Sequence, residues 1–149
     1  MEANELALAS NYFRQAIQLQ PNYIDAHYNL GNSLREQKKY QLAIIQYTKV
    51  IEINSKHIKS RLNIASIFDR KGQFDKALDE YQRVIEIDAN CGQAYSSMGS
   101  LLRRKGDKDG AINCYERALQ ISPDNESVRH LMSALTEGSL DSAPAEYVE

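Results

Sequence analysis

Apolar positions recur along this chain at spacings of three and four residues, and the whole arrangement returns every 34 residues. Alanine returns as Ala43, Ala77 and Ala111, and tyrosine as Tyr47, Tyr81 and Tyr115. Val50, Val84 and Ala118 follow in the same register, and Ala9, Phe13 and Ala16 hold these slots one period earlier. Such spacing lines apolar side chains along one face of an α-helix. It predicts helices over 24–37 with 40–53, 58–71 with 74–87, and 92–105 with 108–121. Residues 1–20 read as the second helix of a preceding pair, and 126–135 as a final helix. No stretch alternates with the period of two that a strand needs. A unit this small cannot bury its own apolar face, so the units must stack on one another. The fold class is therefore all-α, built from antiparallel helix pairs.

The turns inside the pairs carry Lys38-Lys39, Lys71-Gly72-Gln73 and Lys105-Gly106-Asp107. Gly72 and Gly106 suit a left-handed residue just past a helix end. Lys38 stands where the other turns have glycine, so its turn is expected to be strained or differently shaped. Pro21 and Pro123 mark links between units.

These residues resemble the tetratricopeptide repeat. The third unit carries Tyr95, Met98, Gly99, Leu102, Ala111, Tyr115, Ala118 and Pro123. The first carries His27, Leu30, Gly31, Leu34, Ala43, Tyr47 and Val50. The second departs most, with Arg61, Ile64, Ala65, Phe68, Ala77, Tyr81 and Val84. The resemblance spans about residues 3–135. It implies a right-handed superhelical solenoid: a half repeat over 1–23, full repeats over 24–57, 58–91 and 92–125, and a capping helix over 126–135. Gly31, Ala65 and Gly99, with Ala43, Ala77 and Ala111, are then the small residues where paired helices cross, and the tyrosines fill the wider gaps. His27 takes an aromatic slot and reads as a packed core histidine. An unpaired helix over 1–20 leaves part of its stripe to water, which invites self-association.

Residues 136–149 are acidic, contain Ser, Ala and Pro, and lack periodicity, so they read as a flexible tail or linker. His130, Ala134, Leu135, Gly138, Ala143-Pro144-Ala145 and Tyr147-Val148 also resemble the junction in bacterial proteins where such repeats precede an S-adenosylmethionine-dependent methyltransferase domain. That resemblance implies a substrate-recruiting or regulatory module of a larger enzyme.

Composition removes several classes of function. The net charge of −2 is small, with mixed signs and no basic face for nucleic acid. No run of about 18 apolar residues is present to span a membrane. Cys91 and Cys114 offer neither a disulfide framework nor metal-ligand spacing, which points to a cytoplasmic protein. His27, His57 and His130 lie far apart, and no phosphate-cradling glycine loop or nucleophile–base pair is evident. The expectation is a non-enzymatic chain without cofactor or metal.

In the family the first helix of each unit lines a groove, and the resemblance places the candidate peptide-binding residues there. They are Tyr28, Asn29 and Asn32; Lys59, Leu62, Asn63, Ser66 and Arg70; and Gln93, Ser97, Arg103 and Arg104. Co-chaperone members grip a C-terminal aspartate with a carboxylate clamp. Its slots here hold Tyr28, Asn32, Asn63, Gln93 and Ser97, so the clamp's cations are missing. Asn29 and Asn63, one period apart, resemble the asparagine ladder of O-linked N-acetylglucosamine transferase, which holds extended backbone. Tyr28 and Leu62 are expected to be exposed apolar anchors. The function implied is a protein–protein interaction module for a peptide or helix of a partner. The alternatives are the recruiting module of an enzyme and a self-assembling scaffold.

Overall fold

The structure, a computed structural model, describes residues 2–137. These form eight α-helices: α1 (Glu2–Leu19), α2 (Ile24–Glu36), α3 (Tyr40–Ile53), α4 (Ile58–Arg70), α5 (Phe74–Ile87), α6 (Gly92–Lys105), α7 (Lys108–Ile121) and α8 (Glu126–Glu137). The paired helices match the predicted ones to within a residue at each end. The final helix runs past 135, so Thr136 and Glu137 belong to α8 rather than to a tail. The remaining tail positions, including the junction-like Gly138, Ala143-Pro144-Ala145 and Tyr147-Val148, lie outside the described residues.

Contacts divide the chain into two compact units, residues 1–87 and residues 88–149. In the first, α2 pairs with α3 and α4 with α5, while α1 packs on α2 and α3 on α4. Its core gathers Leu30, Leu34, Ala43, Tyr47, Ile64 and Ile67, with Phe13 and Ile17 of α1 packed against them. The α2–α3 pair crosses at Gly31, where the sequence supplies no side chain. A Cβ on Gly31 would stand 2.7 Å from Cε1 of Tyr47, so the tyrosine ring occupies the space that a larger residue would claim. The second unit repeats this in α6, α7 and α8: a Cβ on Gly99 would meet the Tyr115 ring at 2.7 Å. There α8 covers α7 through Val128, Leu131, Met132 and Leu135.

Hydrogen bonds end the helices where the sequence provides donors and acceptors. Asp107 accepts from the Gly110 N–H (2.9 Å), and Asn125 from the Val128 N–H (3.2 Å). His57 caps α4 by accepting from the Ser60 N–H at 3.2 Å, so its Nδ1 is unprotonated. Burial, then the Lys59 ammonium, hold the His57 pKa below the ordinary histidine value, which suits that acceptor role. Gly72 (φ 72°) and Gly106 (φ 86°) take the left-handed conformation past their helices. Lys38 adopts it too, at φ 59°, where a side chain makes it costly.

The aromatic slot of the repeat takes a polar solution in three places. His27 Nε2 lies 2.7 Å from the Pro21 carbonyl, which can only accept, and its Nδ1 lies 2.8 Å from the Gln46 carboxamide. Arg61, one period on, donates to the Ser55 carbonyl from Nε (3.2 Å) and Nη2 (3.1 Å), and its Nη1 pairs with Glu80 at 3.1 Å. Arg129 donates to the Pro123 carbonyl at the same register. His27 is buried, as its slot predicts, and also ties the link before α2 to the pair it opens.

Candidate first-helix face

Within the first unit, α2 and α4 carry eight of the candidate binding residues, Tyr28 to Arg70. Asn29 and Lys59 project into solvent, as does Arg70, whereas Asn32, Leu62, Asn63 and Ser66 are half-buried. Tyr28 and Leu62, expected as exposed anchors, are both half-buried. Tyr28 has its ring centroid 5.9 Å from that of Tyr47 and 5.2 Å from that of His57. Its ring completes the core between α2 and α4 instead of standing free as an anchor.

The two asparagines of the predicted ladder are not equivalent. Asn29 makes no side-chain hydrogen bond within the described residues. Asn63 accepts from Arg35 Nη1 at 2.8 Å and donates to Asn32 Oδ1 at 3.2 Å, and the same Asn32 oxygen accepts from the Tyr47 hydroxyl at 2.7 Å. A continuous polar chain therefore runs from a buried tyrosine, across two carboxamides, to a guanidinium at the surface. Burial, opposed by the nearby Arg35 cation, raises the Tyr47 hydroxyl to about 12, so at neutral pH it stays protonated and donates. Asn63 keeps one amide N–H and one oxygen lone pair beyond these bonds.

Arg35 stands at the centre of this arrangement. The family resemblance places it on the groove face of the first helix but outside the candidate binding residues, and only the fold shows that it reaches the carboxamide one repeat away. In the sequence, Lys38 stands out only as a glycine replacement. Both line a cleft of about 330 Å³ with Glu36, Tyr40, Ser66 and Arg70.

In the second unit, Gln93, Ser97, Arg103 and Arg104 stand on α6, with Ser97 half-buried and the others exposed. Ser100, the equivalent of Asn32, lies 3.0 Å from the Tyr115 hydroxyl. Among the described residues no group of three or more His, Cys, Asp and Glu side chains could hold a metal ion, and no helix is long and apolar enough to cross a membrane. Both cysteines are free and half-buried, and burial raises the Cys114 pKa.

Antiparallel helix pairs with small residues at each crossing, tyrosines in the gaps and a constant register define a tandem helical-repeat protein. Family models agree. The tetratricopeptide-repeat model matches residues 24–57 and 92–125, a second model of that name matches 58–91, and a TPR-repeat model matches 1–34. The chain belongs to the tetratricopeptide-repeat family. Among solved structures it is similar to that of MamA, with TM-score 0.82, 20% identity, and 91% of this chain and 80% of that chain covered. It is also similar to a structure of the first TPR of Spaghetti (RPAP3) bound to the HSP90 peptide SRMEEVD. There the TM-score is 0.72, with 23% identity and 78% and 93% of the two chains covered. These likenesses are of fold. Comparison with curated protein sequences gives no match.

Proposed function

We propose that the chain is a non-catalytic protein–protein interaction module whose α2–α4 face receives an extended segment of a partner protein. The observation that carries this reading is the ordered polar chain Tyr47–Asn32–Asn63–Arg35 lying beside an unengaged Asn29. Carboxamides held in place by neighbours lose little freedom when a peptide backbone binds them, and each can donate and accept at once. Leu62, half-buried and adjacent to Asn63 on α4, supplies an apolar contact. Gln93, Ser97, Arg103 and Arg104 of α6 are proposed as contacts of the second unit taken by itself. An Asp-terminated chaperone tail is a poor candidate, because Tyr28, Asn32, Asn63, Gln93 and Ser97 provide none of the clamp's cations.

A displayed library of random dodecapeptides, selected on the full chain, provides the probe. Peptides recovered this way are expected to bind Asn29→Ala about five- to thirtyfold more weakly in calorimetry, the loss of one or two hydrogen bonds at about 1 kcal/mol each. The melting temperature should not change, because Asn29 is exposed and unbonded. Unaltered affinity in both Asn29→Ala and Leu62→Ser would remove this face from the reading.

A second reading, self-association, has its own observation. Ala43, Tyr47 and Val50 of α3 are 0% exposed, whereas the equivalent Ala9, Phe13 and Ala16 of α1 are only half-buried. Tyr12, 62% exposed, occupies the slot where Gln46 meets His27 and Glu80 meets Arg61. The face of α1 that a first helix would cover is open. Helix α8 has first-helix register, and its exposed Ser133 stands at the small-residue slot of Gly31 and Gly99. With α8 of a second copy on α1, Arg129 falls opposite Tyr12, a cation facing an aromatic ring. Sedimentation velocity should show a coefficient that climbs with concentration, and Tyr12→Glu should hold the chain monomeric. A monomer at every concentration would end this reading.

A further inference from the structure

The turn between α2 and α3 contains an anomaly that packing does not explain. Two of the three turns inside the helix pairs use glycine for the left-handed residue, Gly72 and Gly106. The first uses Lys38 at φ 59°, a conformation that a side chain disfavours. The exposed Lys38 side chain lies away from the core, so no burial offsets that strain. What it does reach is the cleft of about 330 Å³ that also holds Arg35 and Arg70.

Three cations line this cleft against one carboxylate, Glu36, which lies 3.3 Å from Arg35 Nη2. Among the described residues, neither the Lys38 ammonium nor the Arg70 guanidinium has an ion-pair partner. Asn63 holds Arg35 by accepting from Nη1 at 2.8 Å, which fixes the direction of its guanidinium. Ser66 and Tyr40 add hydroxyl groups to the lining. Unpaired cations gathered around a concavity repel one another and are offset by a bound anion. A guanidinium and an ammonium together suit a planar carboxylate or a phosphate.

We infer that this cleft is an oxyanion subsite, taking a carboxylate or phosphate group carried by the bound partner segment, with Lys38 retained for its charge at the expense of backbone strain. The inference rests on the α2–α4 face being a binding face, and it adds the chemical class of what binds at one end of it. The clamp slots Tyr28, Asn32, Asn63, Gln93 and Ser97 do not include Arg35, Lys38 or Arg70, so the charge is read at a different place.

The test exploits opposite signs. Lys38→Gly removes the cation and relieves the left-handed strain. Lys38→Asn removes the cation while keeping a residue that tolerates the conformation. The full chain is titrated with a capped tetraglutamate peptide, with a capped phosphoserine peptide, and with a capped tetraserine control, following backbone amide and arginine Nε–H signals by NMR. Expected are shifts concentrated at Arg35, Lys38 and Arg70 with at least one anionic peptide, and none with the control. Preference for one anionic peptide identifies the group. Both Lys38 variants should lose about tenfold in affinity. Lys38→Arg should keep it, and Lys38→Gly should melt no lower than wild type. The inference is overturned if anionic peptides shift the exposed cations Lys56 and Arg83, neither of them among the proposed binding residues, as much as these three. Lys38→Gly binding as tightly as wild type also overturns it. Library-selected peptides weakened by Asn29→Ala but indifferent to both Lys38 variants would leave the binding face standing and remove the subsite alone.

Discussion

Tyr47→Ala is expected to destabilise the chain by about 3–5 kcal/mol, the range for deleting a buried aromatic side chain. Tyr47 is 0% exposed and packs in the cluster of Leu30, Leu34, Ala43, Ile64 and Ile67. Three features keep the site from collapsing around the truncation. Gly31, directly above the ring, has no side chain to move in. Ala43, also fully buried, has only a methyl group and cannot extend into the space. The hydroxyl anchors Asn32 at 2.7 Å, so its loss also frees the carboxamide chain that leads to Arg35. Tyr47→Phe separates the two contributions. It retains the ring and removes only the hydrogen bond, and should cost about 1 kcal/mol. Urea denaturation with unchanged m measures both. A Tyr47→Ala loss below about 1 kcal/mol would mean that the ring does not fill the crossing as described.

Glu80→Ala is expected to cost about 3 kcal/mol, because it leaves a buried guanidinium without its carboxylate. The Arg61 and Glu80 side chains are 10% and 19% exposed and meet at 3.1 Å. Arg61 cannot discharge, and its remaining bonds go to one carbonyl, that of Ser55. The pair is weak evidence for stability in itself, since removing two charges from water offsets much of their attraction. The third repeat shows the apolar alternative at the same slots, Tyr95 and Cys114. The double variant Arg61→Tyr with Glu80→Cys should therefore recover most of the loss, with the lost Ser55 bonds as the residual cost. Thermal melts of the single and double variants form the comparison. A double variant no more stable than Glu80→Ala would show that Arg61 is required for the link preceding α4 rather than tolerated with its partner.

The fold was legible because it depends on period and size. Apolar spacing located the paired helices, and the tetratricopeptide-repeat resemblance placed Gly31 and Gly99 at crossings and the tyrosines in gaps. Lys38 was recognisable as a misfit in its turn, and the positive φ there is the strain expected of it. The binding face was less legible. Position on a helix face follows from spacing, but exposure depends on what the next helix brings. Tyr28 reads as an outward aromatic until His57, from the link before α4, is packed against it. Asn29 and Asn63 share a slot in the sequence, yet one is free and the other is engaged by Arg35 and Asn32.

By itself, then, the sequence determined that this is a stack of antiparallel helix pairs, where each pair begins and ends, and which small and aromatic residues meet at each crossing. Those properties are set by local helix geometry and by repetition, and both are written in spacing. Only the tertiary structure decided which polar side chains join across repeats, which cations remain unpaired around the α2–α3 turn, and which face of α1 lacks a partner. The reason is physical. Hydrogen bonds and ion pairs depend on distances between atoms far apart in sequence, such as Arg35 and Asn63 or Arg61 and Glu80, and those distances exist only once the helices have packed.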